Sequence, residues 1–172
     1  MKKIYTLSNL ITLTLLLLAG CNSGKSDEQV TDDEIPEHSD TSVVYDPARA
    51  MWEYAYNRQT EDFEILQLRP VSADTLTGIM IQNILNDSWP RIPVRFMKVS
   101  NDTAYVEIPV STVLTQQMGT TGAMSYMISA TYSFTELQGV EYVRFDFDEG
   151  DHAVPGVYSR RLWEELTRPL TR

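Results

Sequence analysis

At 172 residues and a formal net charge of −10, the chain lacks the excess of Lys and Arg that a phosphate backbone demands, which argues against a nucleic-acid partner. The same acidity disfavours docking on anionic lipid through charge alone. Residues 45–172 hold 11 basic and 17 acidic side chains and are long enough for one domain that buries about two-thirds of its unfolded surface.

The first 21 residues look like an address. Lys2 and Lys3 precede an apolar run, Leu10 to Leu18, that is too short to span a bilayer. The run ends Leu18-Ala19-Gly20-Cys21, which resembles the bacterial lipoprotein lipobox. That resemblance implies removal of residues 1–20 as a signal peptide and a diacylglycerol on the Cys21 thiol. Cys21 is the only cysteine, so once it carries lipid no disulfide, thiolate metal site or cysteine nucleophile remains. Acyl chains contribute about 0.8 kcal/mol per buried methylene, which makes Cys21 the expected membrane anchor and the bacterial cell envelope the expected location.

Residues 21–44 follow as a tether. Asp27, Glu28, Asp32, Asp33, Glu34, Glu37 and Asp40 face only Lys25, and no apolar period is present. Such a segment cannot bury enough apolar surface to offset the entropy of ordering it, so the sequence predicts disorder here, with His38 a solvated linker residue.

The domain opens with Asp46-Pro47, the pattern of an N-cap followed by proline at the first helical position. Ala48, Met51, Trp52, Ala55 and Tyr56 then recur at helical spacing, which predicts a helix over Asp46–Arg58. Glu64 to Leu68 alternates as a strand and stops before Pro70. Ser72 or Asp74 offers a cap for a second helix over 75–85, bearing Leu76, Ile79, Met80, Ile84 and Leu85. Trp89-Pro90 and Ile92-Pro93 make Asn86 to Pro93 an irregular connection, because proline bars its predecessor from helix.

From Val94 the period is two. Val94, Phe96 and Lys98 alternate with Arg95, Met97 and Val99, Ser100-Asn101-Asp102 supplies a turn, and Ala104, Val106 and Ile108 then alternate with Tyr105 and Glu107. After Gly119 the period lengthens. Ala123, Met124, Met127, Ile128, Thr131, Phe134 and Leu137 form one face of a helix over 122–137 that Gly139 ends. Val143, Phe145 and Phe147 alternate with Tyr142, Arg144 and Asp146 as a closing strand. Past Gly150 the chain runs irregularly through Pro155 and Gly156, and Ser159 caps a short helix whose Leu162, Trp163 and Leu166 fold back on the body.

In order, residues 64–147 give β-α-β-β-α-β. The expected class is α+β, a two-layer sandwich of split-βαβ type with an extra N-terminal helix and a short C-terminal helix. Several stretches carry a family likeness: Ile84-Leu85, the Trp89-Pro90 to Pro93 connection and the strand Ala104-Tyr105-Val106-Glu107-Ile108. The Gly119 turn, the helix from Gly122, and Val140-Glu141-Tyr142-Val143 leading into Asp148-Glu149-Gly150 continue it. Over about residues 60–150 the chain resembles the GerMN domain, named from a sporulation and germination lipoprotein family. The resemblance implies an envelope lipoprotein whose α/β domain is similar to the ring-building modules of secretion and sporulation complexes, and it brings no catalytic residues. The Asp46–Arg58 segment and the tail beyond Gly150 depart from the family's pattern.

Three sets of residues are candidates for chemistry or binding. Asp146, Asp148, Glu149, Asp151 and His152 end a strand in an acidic turn. Such oxygen-rich loops suit hard cations, but the spacing matches no known calcium loop, so no metal is expected and Asp148, Asp151 and His152 are weak candidates. Met118-Gly119-Thr120-Thr121-Gly122 opens a helix; without a following Lys it is a plain N-terminus capped by Thr120 or Thr121. The mature chain offers only His38 and His152 as imidazole bases. Tyr105 and Tyr142, beside Arg95 and Arg144, fall on the strand face opposite Val106 and Phe145. Exposed Tyr and Arg make binding hot spots and sugar-stacking platforms, unless the first or last helix covers them. The expectation is a non-catalytic binding or assembly module without a cofactor, whose partner is an envelope protein or a cell-wall glycan. The alternative is an envelope hydrolase using carboxylates or a metal near Asp148, Asp151 and His152.

Overall fold

A computed structural model describes residues 44–168. The expected signal peptide, the expected lipid attachment at Cys21 and the acidic tether expected up to residue 44 fall, as far as residue 43, outside the described residues. The class is α+β: the described residues form a four-stranded sheet, a separate two-stranded hairpin and three α-helices. The elements are β1 (Trp52–Asn57), β2 (Asp62–Gln67), α1 (Gly78–Ser88), β3 (Arg95–Ser100), β4 (Thr103–Glu107), α2 (Gly119–Phe134), β5 (Tyr142–Asp146), β6 (Gly156–Ser159) and α3 (Arg160–Leu166).

The expected N-terminal helix is instead a single turn followed by a strand. Asp46 does accept from the Ala48 N–H through Oδ1 (2.9 Å), but the helix is not continued. Trp52, Tyr54 and Tyr56 alternate, and these β-favouring aromatics pair with Gln67, Ile65 and Phe63 of β2. Glu61 supplies the left-handed residue of the connecting turn (φ 55°). The Asn57 amide and Thr60 hydroxyl both bond the Glu64 carboxylate, at 2.9 and 2.7 Å. So the strand expected at 64–68 forms, over Asp62–Gln67, but it joins its sequence neighbour, for which loop closure costs little, and not the main sheet.

The main sheet has the order β3-β4-β5-β6. β4 and β5 run parallel and directly adjacent, joined by α2, so the crossover is a plain βαβ unit and the split order is not formed. No strand inserts between β4 and β5, and the outer edge of β5 is covered by β6, a four-residue strand antiparallel to it. Ala104 and Val106 of β4, Ile108 just beyond it, and Val143 and Phe145 of β5 are buried against α2, as their alternation requires. Asn101 holds the left-handed position of the β3–β4 turn (φ 55°), which a short amide side chain tolerates.

Helix boundaries shift from the sequence expectation. α1 is capped by Thr77, whose hydroxyl accepts from the Met80 N–H at 3.2 Å, and not by Ser72 or Asp74. A π-helical turn (Val113–Gln117) leads into α2, which begins at Gly119 with Met118 at the cap position; neither Thr120 nor Thr121 caps it. α2 ends at Phe134, and Gly139 (φ 75°) lies in the following turn. At the other end of the chain Ser159 caps α3 as expected, accepting from the Leu162 N–H at 3.2 Å.

From Tyr126 to Phe134 every residue of α2 is buried, because the hairpin covers the side of the helix that the sheet does not. The contact is made by side chains that satisfy a strand edge. Ser125 and Ser129 donate to the carbonyls of Tyr54 (2.9 Å) and Trp52 (2.7 Å). Four residues of helix rise about 6 Å and two residues of strand about 6.8 Å, so an i, i+4 pair on a helix can match an i, i+2 pair on a strand. α1 repeats the device on the edge strand of the main sheet. The Gln82 amide oxygen accepts from the Phe96 N–H (2.8 Å), and Asn86 bonds both the N–H (2.7 Å) and the carbonyl (3.2 Å) of Val94. Replacing Asn86 with leucine strands two part-buried backbone groups. It should cost about 1–3 kcal/mol, read as a lower midpoint in urea with an unchanged slope.

Candidate functional site

The face of the main sheet turned away from α2 is the candidate interface, and strand register writes it as three rows. A bulge at Met97 separates the pairs Phe96–Val106 and Lys98–Tyr105, so β3 presents Lys98 outward beside Tyr105. The middle row is Lys98, Tyr105, Arg144 and Val157, one residue from each strand. Towards the carboxyl end of β4 and β5 lies the row Arg95, Glu107 and Asp146; towards the other end lies Thr103, Tyr142 and Ser159. All four sequence candidates, Arg95, Tyr105, Tyr142 and Arg144, therefore share one surface.

Among the described residues no helix lies over these rows. α3 packs on the opposite side, where Trp163 is buried, stacks on Tyr158 at 5.2 Å and donates its indole N–H to Thr131 Oγ1 at 3.0 Å. Tyr142 keeps 39% of its surface, Val157 50% and Met97 55%. Tyr105 is half-buried, with the Lys98 ammonium 5.2 Å above its ring. Arg95 pairs with Glu107 at 3.0 Å. A hollow of about 230 Å³ opens between Met97, Lys98, Tyr105, Glu107, Arg144 and Asp146. The surface thus offers aromatic area, two cation–aromatic or cation–carboxylate contacts, and the unpaired guanidinium of Arg144, among the described residues.

The chain matches no family model, no curated protein and no solved structure. What it does must be argued from its own residues.

The acidic turn does not assemble as a centre. Among the described residues no three His, Cys, Asp or Glu side chains gather to hold a metal ion, so Asp148, Asp151 and His152 do not converge. The segment is pinned by its backbone. The Asp148 carbonyl accepts from Ser111 Oγ (2.9 Å), the His152 N–H donates to the Thr115 carbonyl (3.1 Å), and a Cβ on Gly150 would lie 2.7 Å from that of Thr115. The His152 imidazole turns to Thr120, with Nδ1 and Oγ1 3.2 Å apart. That is a hydroxyl–imidazole contact, but among the described residues no carboxylate bonds the ring to orient it.

β6 was not expected from the sequence, and it supplies Val157 and Ser159 to the outer face. The signal available was the short alternation after Pro155, with Val157 and Ser159 on one face and Tyr158 on the other.

Proposed function

We propose that the chain is a non-catalytic binding module of the bacterial cell envelope, anchored through lipid on Cys21. In this reading its uncovered sheet face meets an envelope protein or a cell-wall glycan. The observation that carries it is the uncovered face itself: Tyr105, Tyr142, Arg95 and Arg144 lie on one side of four strands, with the helices on the other. Three sequence features agree: the lipobox resemblance of Leu18 to Cys21, the acidic tether that would hold the domain off the membrane, and the resemblance to an assembly-type domain.

The test is retention of the detergent-solubilised full chain on purified peptidoglycan and, separately, capture of partners from envelope extract. Tyr142→Ala and Arg144→Ala should each weaken the retained interaction about tenfold or more, since solvent-facing Tyr and Arg carry interface energy without holding up the fold. Turnover of an envelope substrate that is abolished by His152→Ala would replace this reading with hydrolysis at the Thr120–His152 contact.

A further inference from the structure

A second, unrelated cavity of about 420 Å³ lies between β1, the start of α2 and the connection after α1, lined by Val44, Tyr45, Glu53, Tyr54, Trp89, Met118, Gly122 and Ser125. This volume is that of a small-molecule site. Its walls are aromatic and held in place by further rings. Tyr45 lies 4.3 Å from Trp89, Trp89 meets Tyr126 edge-on at 5.4 Å, and Tyr54 stacks with Phe63 at 5.1 Å.

Among the described residues only one lining side chain is charged, and it is an acid. Glu53 makes no ion pair among the described residues, and no Lys or Arg lines the cavity. Burial, then the carboxylates of Glu53 and Asp46, push the Tyr45 hydroxyl well above its ordinary pKa, so a second acid also bears on the site. The Tyr45 hydroxyl and the Trp89 indole N–H are shielded from solvent, so the rings and the Glu53 carboxylate, rather than these two donors, are what the cavity offers a ligand.

We infer that this cavity binds a small alkylated ammonium compound. The positive head group lies among Tyr45, Tyr54 and Trp89 beside Glu53. Each part of the lining selects for that chemistry. Aromatic faces attract a cation through their quadrupoles, most strongly where water is excluded. The apolar wall accepts alkyl groups that a bare ammonium or a metal ion lacks. The lone carboxylate supplies the counter-charge, and an anionic ligand would be repelled by it.

Choline and its neutral carbon isostere, 3,3-dimethylbutan-1-ol, separate charge from shape while keeping the hydroxyl. Binding to the purified full chain is followed by saturation-transfer NMR and by quenching of tryptophan fluorescence. Choline should bind about tenfold more tightly than the isostere. Glu53→Gln, which keeps the shape and removes the charge, should weaken choline about tenfold and leave the isostere unchanged. Tyr54→Leu should weaken choline as well, and Arg144→Ala on the far sheet face should leave it unaffected. Equal binding of the two probes, or choline affinity unchanged in Glu53→Gln, overturns the inference. So does the absence of saturation transfer to choline in the wild-type chain. Circular dichroism of each variant separates loss of the site from loss of the fold.

Discussion

Arg160→Ala is expected to lower the unfolding free energy by about 3 kcal/mol, a change that most surface arginines would not produce. The guanidinium lies 5.0 Å from the Trp52 ring and 4.8 Å from the Tyr132 ring. Nη2 donates to Glu136 Oε1 at 2.6 Å and to the Tyr132 carbonyl at 2.9 Å, and Nε donates to Thr135 Oγ1 at 2.7 Å. Glu136 Oε1 also receives the Trp52 indole N–H at 3.1 Å. One side chain thus ties α3, the end of α2 and the start of β1 together. The Glu136 side chain is only 18% exposed, so removing its cation leaves a carboxylate that water reaches poorly. Arg160→Lys keeps the charge but loses the planar fork and the Nε bond, and should recover less than half of the loss. Pairing Arg160→Ala with Glu136→Gln should cost less than the two single changes added, because the stranded charge is then gone. Arg161 is the internal control. It pairs with Glu165 at 2.9 Å with its side chain 87% exposed, and Arg161→Ala should cost less than about 0.5 kcal/mol. Urea midpoints for the five variants decide the matter; an Arg160→Ala loss no larger than that of Arg161→Ala would show that the clamp contributes nothing.

Much of this architecture is legible in the sequence where one period is unopposed. Ala104, Val106 and Ile108 fit only alternation, and the faces of β4 and β5 follow from it, including the shared face of Tyr105, Arg144 and Tyr142. The segment from Ala48 to Tyr56 satisfies two periods at once. Its apolar residues fall at helical spacing while Trp52, Tyr54 and Tyr56 alternate, and pairing with β2 decides for strand. Asp46-Pro47 then misleads, since a side-chain turn onto the Ala48 N–H begins a helix and a lone turn alike. β2 is recognisable as a strand, but which strand it joins is a tertiary choice that local periodicity does not encode. The aromatic cavity was out of reach because Tyr45, Tyr54, Trp89 and Met118 come from four separate stretches. The edge-matching amides and hydroxyls did leave a trace. Gln82 and Asn86, and Ser125 and Ser129, are polar i, i+4 pairs, a spacing that a neighbouring strand edge can take up.

Phe134→Ala should be the most damaging single change, lowering stability by about 3–5 kcal/mol. Phe134 is wholly buried at the end of α2, in the core formed between that helix and β4 and β5. It stacks on Phe96 with ring centroids 6.0 Å apart and planes 17° from parallel, and Phe96 in turn lies flat on Gly78 at the start of α1. The ring therefore supports the edge strand β3 through one neighbour and α1 through the next. Truncation leaves a void that close-packed neighbours fill only in part, so the cost includes lost contacts as well as lost transfer energy. For a domain of this size the melting temperature should fall by about 10–20 °C. The stack can be dissected from its other end. A Cβ on Gly78 would lie 2.4 Å from the Phe96 ring, so Gly78→Ala forces that ring aside and should cost about 1–3 kcal/mol in the intact protein. In a Phe96→Ala background the obstruction is absent, and alanine is the better helix former by up to about 1 kcal/mol. There Gly78→Ala should turn neutral or stabilising. A Gly78→Ala cost of the same sign and size in both backgrounds would mean that the three-layer stack from α1 through β3 to α2 does not form.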